Sequence, residues 1–266
     1  MIITALKMMN YDNMHSLFCS SLQLLYDVDT WTREMNMARY IAIVEDDAEL
    51  RKNYTEALQR EGYLVSAYKN RSEAQQAFAQ KLPDMAILDI MLEDERDGGF
   101  RLCKFLRAKS DIVPIIFLTA LNSDIDRVSG MRLGATDYLF KDTTTLDFLP
   151  VRVSSLFRYL DAFSESDAND GRLICGPLTL NKDRMEVTWD DKPVRLTMTE
   201  FWILQALVAR PGNLKSHEQL KQAAQTHVTD NAIAAYIRRI REKFKEIDPG
   251  FACIQAEYGM GYRWVQ

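Results

Sequence analysis

The feature that most constrains this chain is a series of five short apolar runs between residues 40 and 140, separated by segments with helical periodicity. This alternation predicts a parallel sheet with helices on both faces, which is a doubly wound α/β fold. In such a sheet, ligands bind beyond the carboxyl ends of the strands. The predicted strands are Tyr40–Val44, Leu64–Tyr68, Met85–Leu88, Pro114–Leu118 and Asp137–Phe140.

Polar side chains follow four of these strands directly, at Glu45, Asp46, Asp89, Thr119 and Lys141. Clustered carboxylates repel one another unless a cation neutralises them, and Mg²⁺ prefers carboxylate, carbonyl and water ligands. A metal and a lysine can offset the charge of a phosphoryl group, so Asp89 is a candidate covalent acceptor. Thr119 would then hydrogen-bond the phosphoryl group, and the small Ala120 would leave room for it. Taken singly, each acidic residue can also be interpreted as a solvated loop residue without a functional role.

Charge is distributed unevenly along the chain. Residues 1–171 carry 19 Lys+Arg and 27 Asp+Glu, a net of -8, whereas residues 172–266 carry 14 and 11, a net of +3. The whole-chain charge of -5 would disfavour a nucleic-acid partner if it were spread evenly. The two parts are therefore expected to meet different partners.

Residues 172–266 predict a smaller α+β domain. Its helices are expected to begin near Thr197, to span Ser216–Ala224 and to span about Thr229–Ile247, and two strands around a glycine turn follow. The strands predicted before these helices are Leu173–Leu180, Glu186–Trp189 and Val194–Leu196.

The third helix of this domain combines an apolar stripe with a basic face. Residues 238–245 contain five Lys or Arg residues in eight positions. The usual interpretation of such a face is a solvated charged surface. However, this helix follows two helices joined by a tight turn, which favours a recognition helix in a DNA major groove. The apolar stripe is Ile233, Ile237, Ile240 and Phe244, and the opposite half carries Ala235, Arg238, Arg239 and Glu242.

Four segments make residues 39–161 resemble the receiver domain of two-component response regulators: Val44–Asp47, Leu88–Leu92, Leu118–Ala120 and Tyr138–Lys141. The resemblance implies a flavodoxin-like, five-stranded parallel sheet. It also implies that Asp89 is the phosphoacceptor and that Lys141 contacts the phosphoryl group. Thr119 and Tyr138 match the family's switch pair, and Mg²⁺ would lie among Glu45, Asp46, Asp89 and the backbone carbonyl of Met91.

Two positions depart from the receiver pattern. Asp142 follows Lys141 where receivers usually carry proline, and Glu93 stands at another usual proline. A cis bond before a non-proline residue is costly, so we expect a trans Lys141–Asp142 bond and a reshaped loop.

Residues 172–266 resemble the winged helix-turn-helix output domain of the OmpR/PhoB family, through Leu196–Phe201, Arg210–Gly212, Tyr236–Lys243 and Gly259–Arg263. The resemblance implies that Arg239 reads base edges and that a hairpin wing approaches the minor groove. In this family the loop corresponding to Gln225–Asp230 often contacts RNA polymerase. The candidate DNA contacts are Asn231, Ala235, Arg238, Arg239, Arg241, Tyr258 and Arg263.

The remaining segments are assigned by composition. Residues 1–38 form a Met-rich extension that we interpret as a start-site artefact or a disordered tail, with a membrane-surface or partner-binding helix as the alternative. Residues 162–171 are interpreted as a flexible linker. No run approaches the roughly 20 apolar residues of a membrane span. The four dispersed cysteines fit a reduced, cytoplasmic protein without a membrane partner.

These observations lead to the hypothesis of a non-enzymatic, DNA-binding response regulator. A sensor histidine kinase would phosphorylate Asp89 in a Mg²⁺-dependent reaction, and the chain would then form a homodimer on double-stranded promoter DNA. Candidate residues of the dimer face are Arg127, Asp137 and Arg152. The alternatives are a phosphorylation-independent DNA binder with an atypical receiver and, less favoured because residues 39–161 contain no histidine, an acid-cluster phosphohydrolase.

Overall fold

A computed structural model of the protein describes residues 39–93, 95–121, 123–164, 172–224 and 230–265. The predictions for residues 1–38 and for most of the linker and the 225–230 loop lie outside these residues. Among the helices that are described, none has both the length and the apolar character needed to cross a membrane.

The first domain is a five-stranded parallel sheet with the strand order β2-β1-β3-β4-β5. This order confirms the predicted doubly wound α/β fold. Its strands are β1 (Tyr40–Val44), β2 (Leu64–Tyr68), β3 (Met85–Leu88), β4 (Ile115–Thr119) and β5 (Asp137–Phe140). Its helices are α1 (Ala48–Arg60), α2 (Arg71–Gln80), α3 (Gly98–Lys109), α4 (Asp124–Arg132) and α5 (Phe148–Ser164).

The central strands are apolar throughout because helices cover both faces of the sheet. Every residue of β3 and β4 is buried, and so are four of the five residues of β1. At the carboxyl end of β1 the chain turns at once into α1, because the Asp47 carboxylate accepts hydrogen bonds from the backbone N–H groups of Glu49 and Leu50 at 2.9 and 2.8 Å. This cap leaves Glu45 and Asp46 at the edge of the sheet.

The second domain has a four-stranded antiparallel sheet, three helices and a hairpin. The sheet contains β6 (Arg172–Cys175), β7 (Leu178–Asn181), β8 (Glu186–Trp189) and β9 (Lys192–Pro193). The helices are α6 (Met198–Val208), α7 (His217–Ala223) and α8 (Asp230–Lys245), and the hairpin is β10 (Ile254–Glu257) with β11 (Gly261–Trp264). The predicted α+β winged architecture is therefore confirmed.

Two strand predictions in this domain were wrong. The run Leu173–Leu180 is two strands rather than one, because Gly176, with φ 60°, turns the chain back on itself. The last strand ends at Pro193, before the predicted 194–196 segment. The side chains of Val194 and Leu196 are buried in the core on the way into α6.

Helix α8 is held in the second domain by its apolar stripe. Ile233, Ile237, Ile240 and Phe244 are fully buried, as the periodicity predicted. Phe244 stacks on Phe251 at a ring-centroid distance of 4.5 Å and meets Trp189 edge-on at 5.5 Å. Helix α5 continues to Ser164, three residues into the segment interpreted as a linker.

Gly99 fixes the first turn of α3 against the strand end that carries Asp89. Its backbone N–H donates to the carbonyl oxygen of Ile90 at 3.0 Å. A Cβ atom at this position would overlap the backbone carbonyl of Asp89. Glycine is therefore required here for close approach of two backbones rather than for a left-handed conformation.

Gly99→Ala is expected to lower the free energy of unfolding by about 1–3 kcal/mol or more, the usual range for overpacking, because the clash is with backbone. Gly98→Ala is the matched control, since the nearest atom to its added Cβ is a side-chain carbon of Leu92 at 3.1 Å. Urea denaturation of both variants measures the difference. Equal stability of the two variants would contradict this role of Gly99.

Candidate acidic site and nucleic-acid interface

Three carboxylates converge at the carboxyl edge of the first sheet. Oxygen atoms of Glu45, Asp46 and Asp89 all lie within 4.8 Å of one another. They meet because β1 and β3 are hydrogen-bonded neighbours, with Val44 opposite Leu88, so that Glu45 and Asp89 leave the sheet side by side. Residues 44 positions apart in the sequence thus form one cluster of hard oxygen ligands.

Lys141 provides a positive charge within this cluster. Its Nζ atom donates to Glu45 Oε1 at 2.7 Å and to Asp89 Oδ2 at 2.6 Å. Glu45 is only 2% exposed and Asp89 6% exposed. Burial raises the pKa of Glu45 to about 7, although the hydrogen bond from Lys141 opposes this rise. Three carboxylates against one ammonium leave an excess of negative charge.

The backbone orients the Asp89 carboxylate. Its Oδ1 atom accepts the backbone N–H of Ile90 at 2.6 Å and, more weakly, that of Met91 at 3.3 Å. Oδ2 faces the ammonium of Lys141. Both oxygens are therefore held in place before any ligand arrives.

Two further groups, which were not predicted from the sequence, shape the Asp46 side of the site. The backbone N–H of Glu93 donates to Asp46 Oδ2 at 3.0 Å, and Glu93 has a left-handed backbone with φ 50°. The guanidinium of Arg51 donates to the backbone carbonyls of Glu45 and Asp46 at 2.7 and 3.0 Å. Both contacts use backbone atoms, for which the sequence carries no side-chain signal, although Glu93 was noted as a departure from the receiver pattern.

The predicted switch residues lie on adjacent strands. Thr119 is buried at the end of β4, next to an exposed Ala120. Tyr138 on β5 is also buried, and its hydroxyl donates to the carbonyl oxygen of Leu121 at 2.8 Å. Burial raises the pKa of Tyr138, so the phenol stays protonated and donates.

The loop after β5 is shaped without proline. The backbone N–H of Lys141 donates to the carbonyl oxygen of Thr119 at 3.0 Å, which extends the β4–β5 pairing by one residue. The Lys141–Asp142 peptide bond is trans, as expected.

Helix α8 presents only part of the predicted DNA-binding set to solvent. Asn231 is exposed, and the side chain of Arg238 is 68% exposed and pairs with Glu242 at 2.8 Å. Ala235 is 6% exposed and the side chain of Arg239 is 15% exposed. The two central positions of the predicted base-reading face are therefore covered in this structure.

A buried glutamate on α6 binds two cations of α8. Glu200 is fully buried, and its carboxylate lies 3.0 Å from Arg239 Nε and accepts a 2.6 Å hydrogen bond from Lys243. The same carboxylate accepts the backbone N–H of Thr197 at 2.7 Å and completes a capping box. These ion pairs carry no signal in the sequence, because the distance between α6 and α8 is set by tertiary packing.

The remaining predicted contacts lie on or near the hairpin. Arg241 donates to the backbone carbonyl of Ile254 at 2.9 Å, and its guanidinium lies 5.9 Å from the ring centre of Tyr262. Tyr258 is fully exposed at the hairpin tip, and Arg263 pairs with Glu257 across the two strands. The hairpin thus presents an aromatic tip and a paired arginine.

The candidate dimer residues are engaged within the chain. Asp137 and Arg152 are buried and form an ion pair with a 2.5 Å distance between Oδ2 and Nε. The guanidinium of Arg127 lies 5.5 Å from the ring centre of Phe140. In this conformation, the Asp137–Arg152 pair is closed inside one chain rather than presented to a second copy.

A largely buried acidic site at the edge of a doubly wound sheet, followed in the chain by a winged-helix domain of net positive charge, indicates a signal-receiving DNA-binding protein. Two family profiles match the chain: the response regulator receiver domain over residues 41–150 and the C-terminal domain of transcriptional regulatory proteins over residues 191–264.

Similar proteins extend this match over most of the chain. The transcriptional regulatory protein CreB of Escherichia coli is 31% identical over 225 residues, which cover 83% of this chain and 95% of CreB. BaeR, also a transcriptional regulatory protein of Escherichia coli, is 32% identical over 84% of this chain and 92% of BaeR. The solved structure of a RitR mutant shares the fold, with a TM-score of 0.67 at 21% identity, over 86% of this chain and 100% of that one.

The chain belongs to the OmpR/PhoB family of two-component response regulators. It is a transcriptional regulator whose receiver domain implies a histidine kinase partner and whose C-terminal domain implies DNA. The acidic cluster at residues 45, 46 and 89 is compatible with a divalent cation.

Lys141→Met is expected to lower the free energy of unfolding by about 3 kcal/mol, because it leaves the carboxylates of Glu45 and Asp89 buried without their partner. This figure is the lower end of the range for a broken buried pair, since the cluster opens to solvent at Asp46. Lys141→Arg keeps the charge and is the control, with a smaller expected loss. Urea denaturation in EDTA checks both, and a Lys141→Met variant as stable as the wild type would contradict the pairing.

Proposed function

We propose that a sensor histidine kinase transfers a phosphoryl group to Asp89 and that this transfer switches promoter binding by α8 and the β10–β11 hairpin. The observation that carries the proposal is the Asp89 carboxylate, held by backbone N–H groups on one oxygen and by Lys141 on the other. In the transfer, an Asp89 carboxylate oxygen forms a bond to phosphorus while the bond from phosphorus to the histidine nitrogen of the kinase breaks. The imidazole leaves with the electron pair of that bond.

The residues present fit a bound Mg²⁺ ion. Glu45, Asp46, Asp89 and the backbone carbonyl of Met91 would hold it, and the excess of carboxylates over the single ammonium favours a divalent cation. When bound, Mg²⁺ supplies neutralisation of phosphoryl oxygen charge. The residues of the chain supply the other functions. Asp89 provides the nucleophile, Lys141 pairs with the phosphoryl group, and the hydroxyl of Thr119 donates a hydrogen bond to a phosphoryl oxygen.

The DNA contact is assigned to the predicted set on α8 and the hairpin. Asn231, Arg238 and Tyr258 are exposed in this structure. Arg241 and Arg263 sit beside the hairpin and provide positive charge for phosphates. Arg239 and Ala235 are assigned to base reading. This role requires that the contacts that bury these two residues in the present structure open.

Dimerisation and the polymerase contact complete the proposal. A homodimer through α4 and α5 places two α8 helices on tandem half-sites, with Arg127, Asp137 and Arg152 as candidate pairing residues. Since Asp137 and Arg152 pair within the chain, this dimer requires their ion pair to open or to be shared. The 225–230 loop is assigned to RNA polymerase, and the protein acts in the cytoplasm as a regulator rather than as an enzyme.

Asp89→Asn is expected to abolish labelling by acetyl phosphate in Mg²⁺ and to remove any gain in DNA affinity from that treatment, because the amide is not a nucleophile for this reaction. Asp47→Asn is the matched control, since it alters an acid on the neighbouring loop and asparagine caps helices equally well. Phosphate-affinity gels and fluorescence anisotropy on a selected duplex measure both steps. Full labelling of Asp89→Asn would contradict Asp89 as the acceptor.

Arg238→Ala is expected to weaken binding to a duplex selected from a random library and to reduce the slope of log affinity against log salt by about 1, the effect of one lost phosphate contact. Arg184→Ala removes the same charge from the turn between β7 and β8 and is the control. Anisotropy titrations over a range of salt concentrations measure both slopes. Equal slopes and affinities for the two variants would remove Arg238 from the interface.

A further inference from the structure

The loop between β3 and α3 forms a tight turn beside the acidic cluster. The backbone N–H of Leu92 donates to the carbonyl oxygen of Glu95 at 3.1 Å, and the N–H of Glu95 donates to that of Leu92 at 2.8 Å. The side chain of Leu92 is buried, which anchors one arm of the turn in the receiver core. Glu93, within the turn, has a left-handed backbone with φ 50°. A residue other than glycine keeps this conformation only where its surroundings impose it.

Arg71, the first residue of α2, holds the other arm of this turn. Its guanidinium binds both carboxylate oxygens of Glu95, with Nε 2.7 Å from Oε2 and Nη2 3.0 Å from Oε1. The remaining nitrogen, Nη1, donates to Gln75 Oε1 at 2.9 Å, so the whole guanidinium is fixed in one orientation. The hydrogen bond from Arg71 lowers the pKa of Glu95. Ion pairs near the surface usually contribute little, but a bidentate pair of fixed geometry is the exception.

Asn70 binds the same turn from the residue before Arg71. Its Nδ2 atom donates to Glu93 Oε1 at 3.3 Å, while its Oδ1 atom accepts the backbone N–H of Glu73 at 2.9 Å and caps α2. The start of α2 therefore contacts the turn at two points, the side chains of Glu93 and Glu95. Together these contacts hold the left-handed residue in place.

The turn supplies the hydrogen bond that orients Asp46. Glu45 and Asp89 are buried, and both accept hydrogen bonds from Lys141. Asp46 is exposed, and its Oδ2 atom accepts the backbone N–H of Glu93 at 3.0 Å. Within the described part of the chain, this is the one hydrogen bond that the Asp46 carboxylate accepts. Of the three carboxylates, Asp46 therefore depends most on this loop for its position.

We infer that Arg71 and Glu95 form a latch that positions Asp46 as a metal ligand, by fixing the Glu93 turn against the acidic cluster. This inference rests on the proposed function, because it assumes that a divalent cation binds among the three carboxylates. Arg71 and Glu95 are positioning residues, since they act through the backbone N–H of Glu93. Loss of a group that supports a metal ligand commonly weakens metal binding by about 10- to 100-fold, because the ligand is no longer held in the binding orientation.

Arg71→Gln in the full chain tests the latch. The variant is expected to bind Mg²⁺ about tenfold more weakly than the wild type, the lower end of that range, because Leu92 and Asn70 still tether the turn. Electrostatics alone predicts the opposite sign, since the loss of a cation near an acidic site strengthens its attraction for Mg²⁺. Isothermal titration calorimetry with magnesium chloride measures the affinity. Hydrogen exchange of the Glu93 amide, which is expected to become faster, reports whether the turn has opened.

Arg101→Gln is the matched control. Arg101 pairs with Asp97 at 3.0 Å at the start of α3, so its loss removes the same charge from the same region and leaves the latch intact. Its Mg²⁺ affinity is expected to equal or slightly exceed that of the wild type.

Two further variants separate the geometry of the latch from its charge. Arg71→Lys keeps the charge but cannot form the two parallel bonds to Glu95, so its Mg²⁺ affinity is expected to fall between those of the wild type and Arg71→Gln. Exchange of the two charges, in Arg71→Glu with Glu95→Arg, is expected to recover part of the affinity that Arg71→Glu alone loses.

The outcomes separate the latch from the proposed function. An Mg²⁺ affinity of Arg71→Gln equal to or above that of the wild type would overturn the latch, and so would an equal loss in Arg101→Gln. Unchanged exchange of the Glu93 amide, or a wild type that binds no Mg²⁺ at millimolar concentrations, would also overturn it. If the wild type binds Mg²⁺ but acetyl phosphate does not label Asp89, the proposed function fails, and the Mg²⁺ affinities still decide the latch.

Discussion

The structure depends on the ammonium of Lys141, which lies between two carboxylates that could not otherwise be buried together. Glu45 and Asp89 are brought side by side by the pairing of β1 and β3, and Lys141 arrives from the end of β5, two strands away from β3. The raised pKa of Glu45 shows that burial is only partly offset by this lysine. The cluster therefore keeps an excess of negative charge, which is compatible with a divalent cation.

A continuous series of contacts joins this cluster to the DNA-binding domain. Thr119 and Lys141 are joined by a backbone hydrogen bond, Tyr138 lies on β5 three residues before Lys141, and the ring of Tyr138 lies beside Gly130 of α4. The next residue of α4, Met131, contacts Tyr236 and Arg239. The buried Asp137–Arg152 ion pair ties β5 to α5 beside this path.

The sequence predicted most of this arrangement where the signal was local or periodic. Apolar runs identified five strands, polar residues at their ends identified the acidic cluster, and the spacing of Ile233, Ile237 and Ile240 identified the buried side of α8. Leu173–Leu180 was mistaken for one strand because an apolar run hides a turn whose only signals are Gly176 and Pro177. The contacts of Tyr236, Arg239 and Glu93 could not be predicted, because each joins a side chain to a backbone group that lies far away in the sequence.

The most direct test is reciprocity between the two sites. If the acidic cluster and α8 are coupled, a ligand of one must change the affinity for the other by the same factor. Beryllofluoride with Mg²⁺ serves as a reversible phosphoryl mimic, and its affinity for the full chain can be titrated with and without a saturating selected duplex. The account predicts that DNA tightens beryllofluoride binding by the same factor by which beryllofluoride tightens DNA binding. An affinity for beryllofluoride that is unchanged by bound DNA would contradict it.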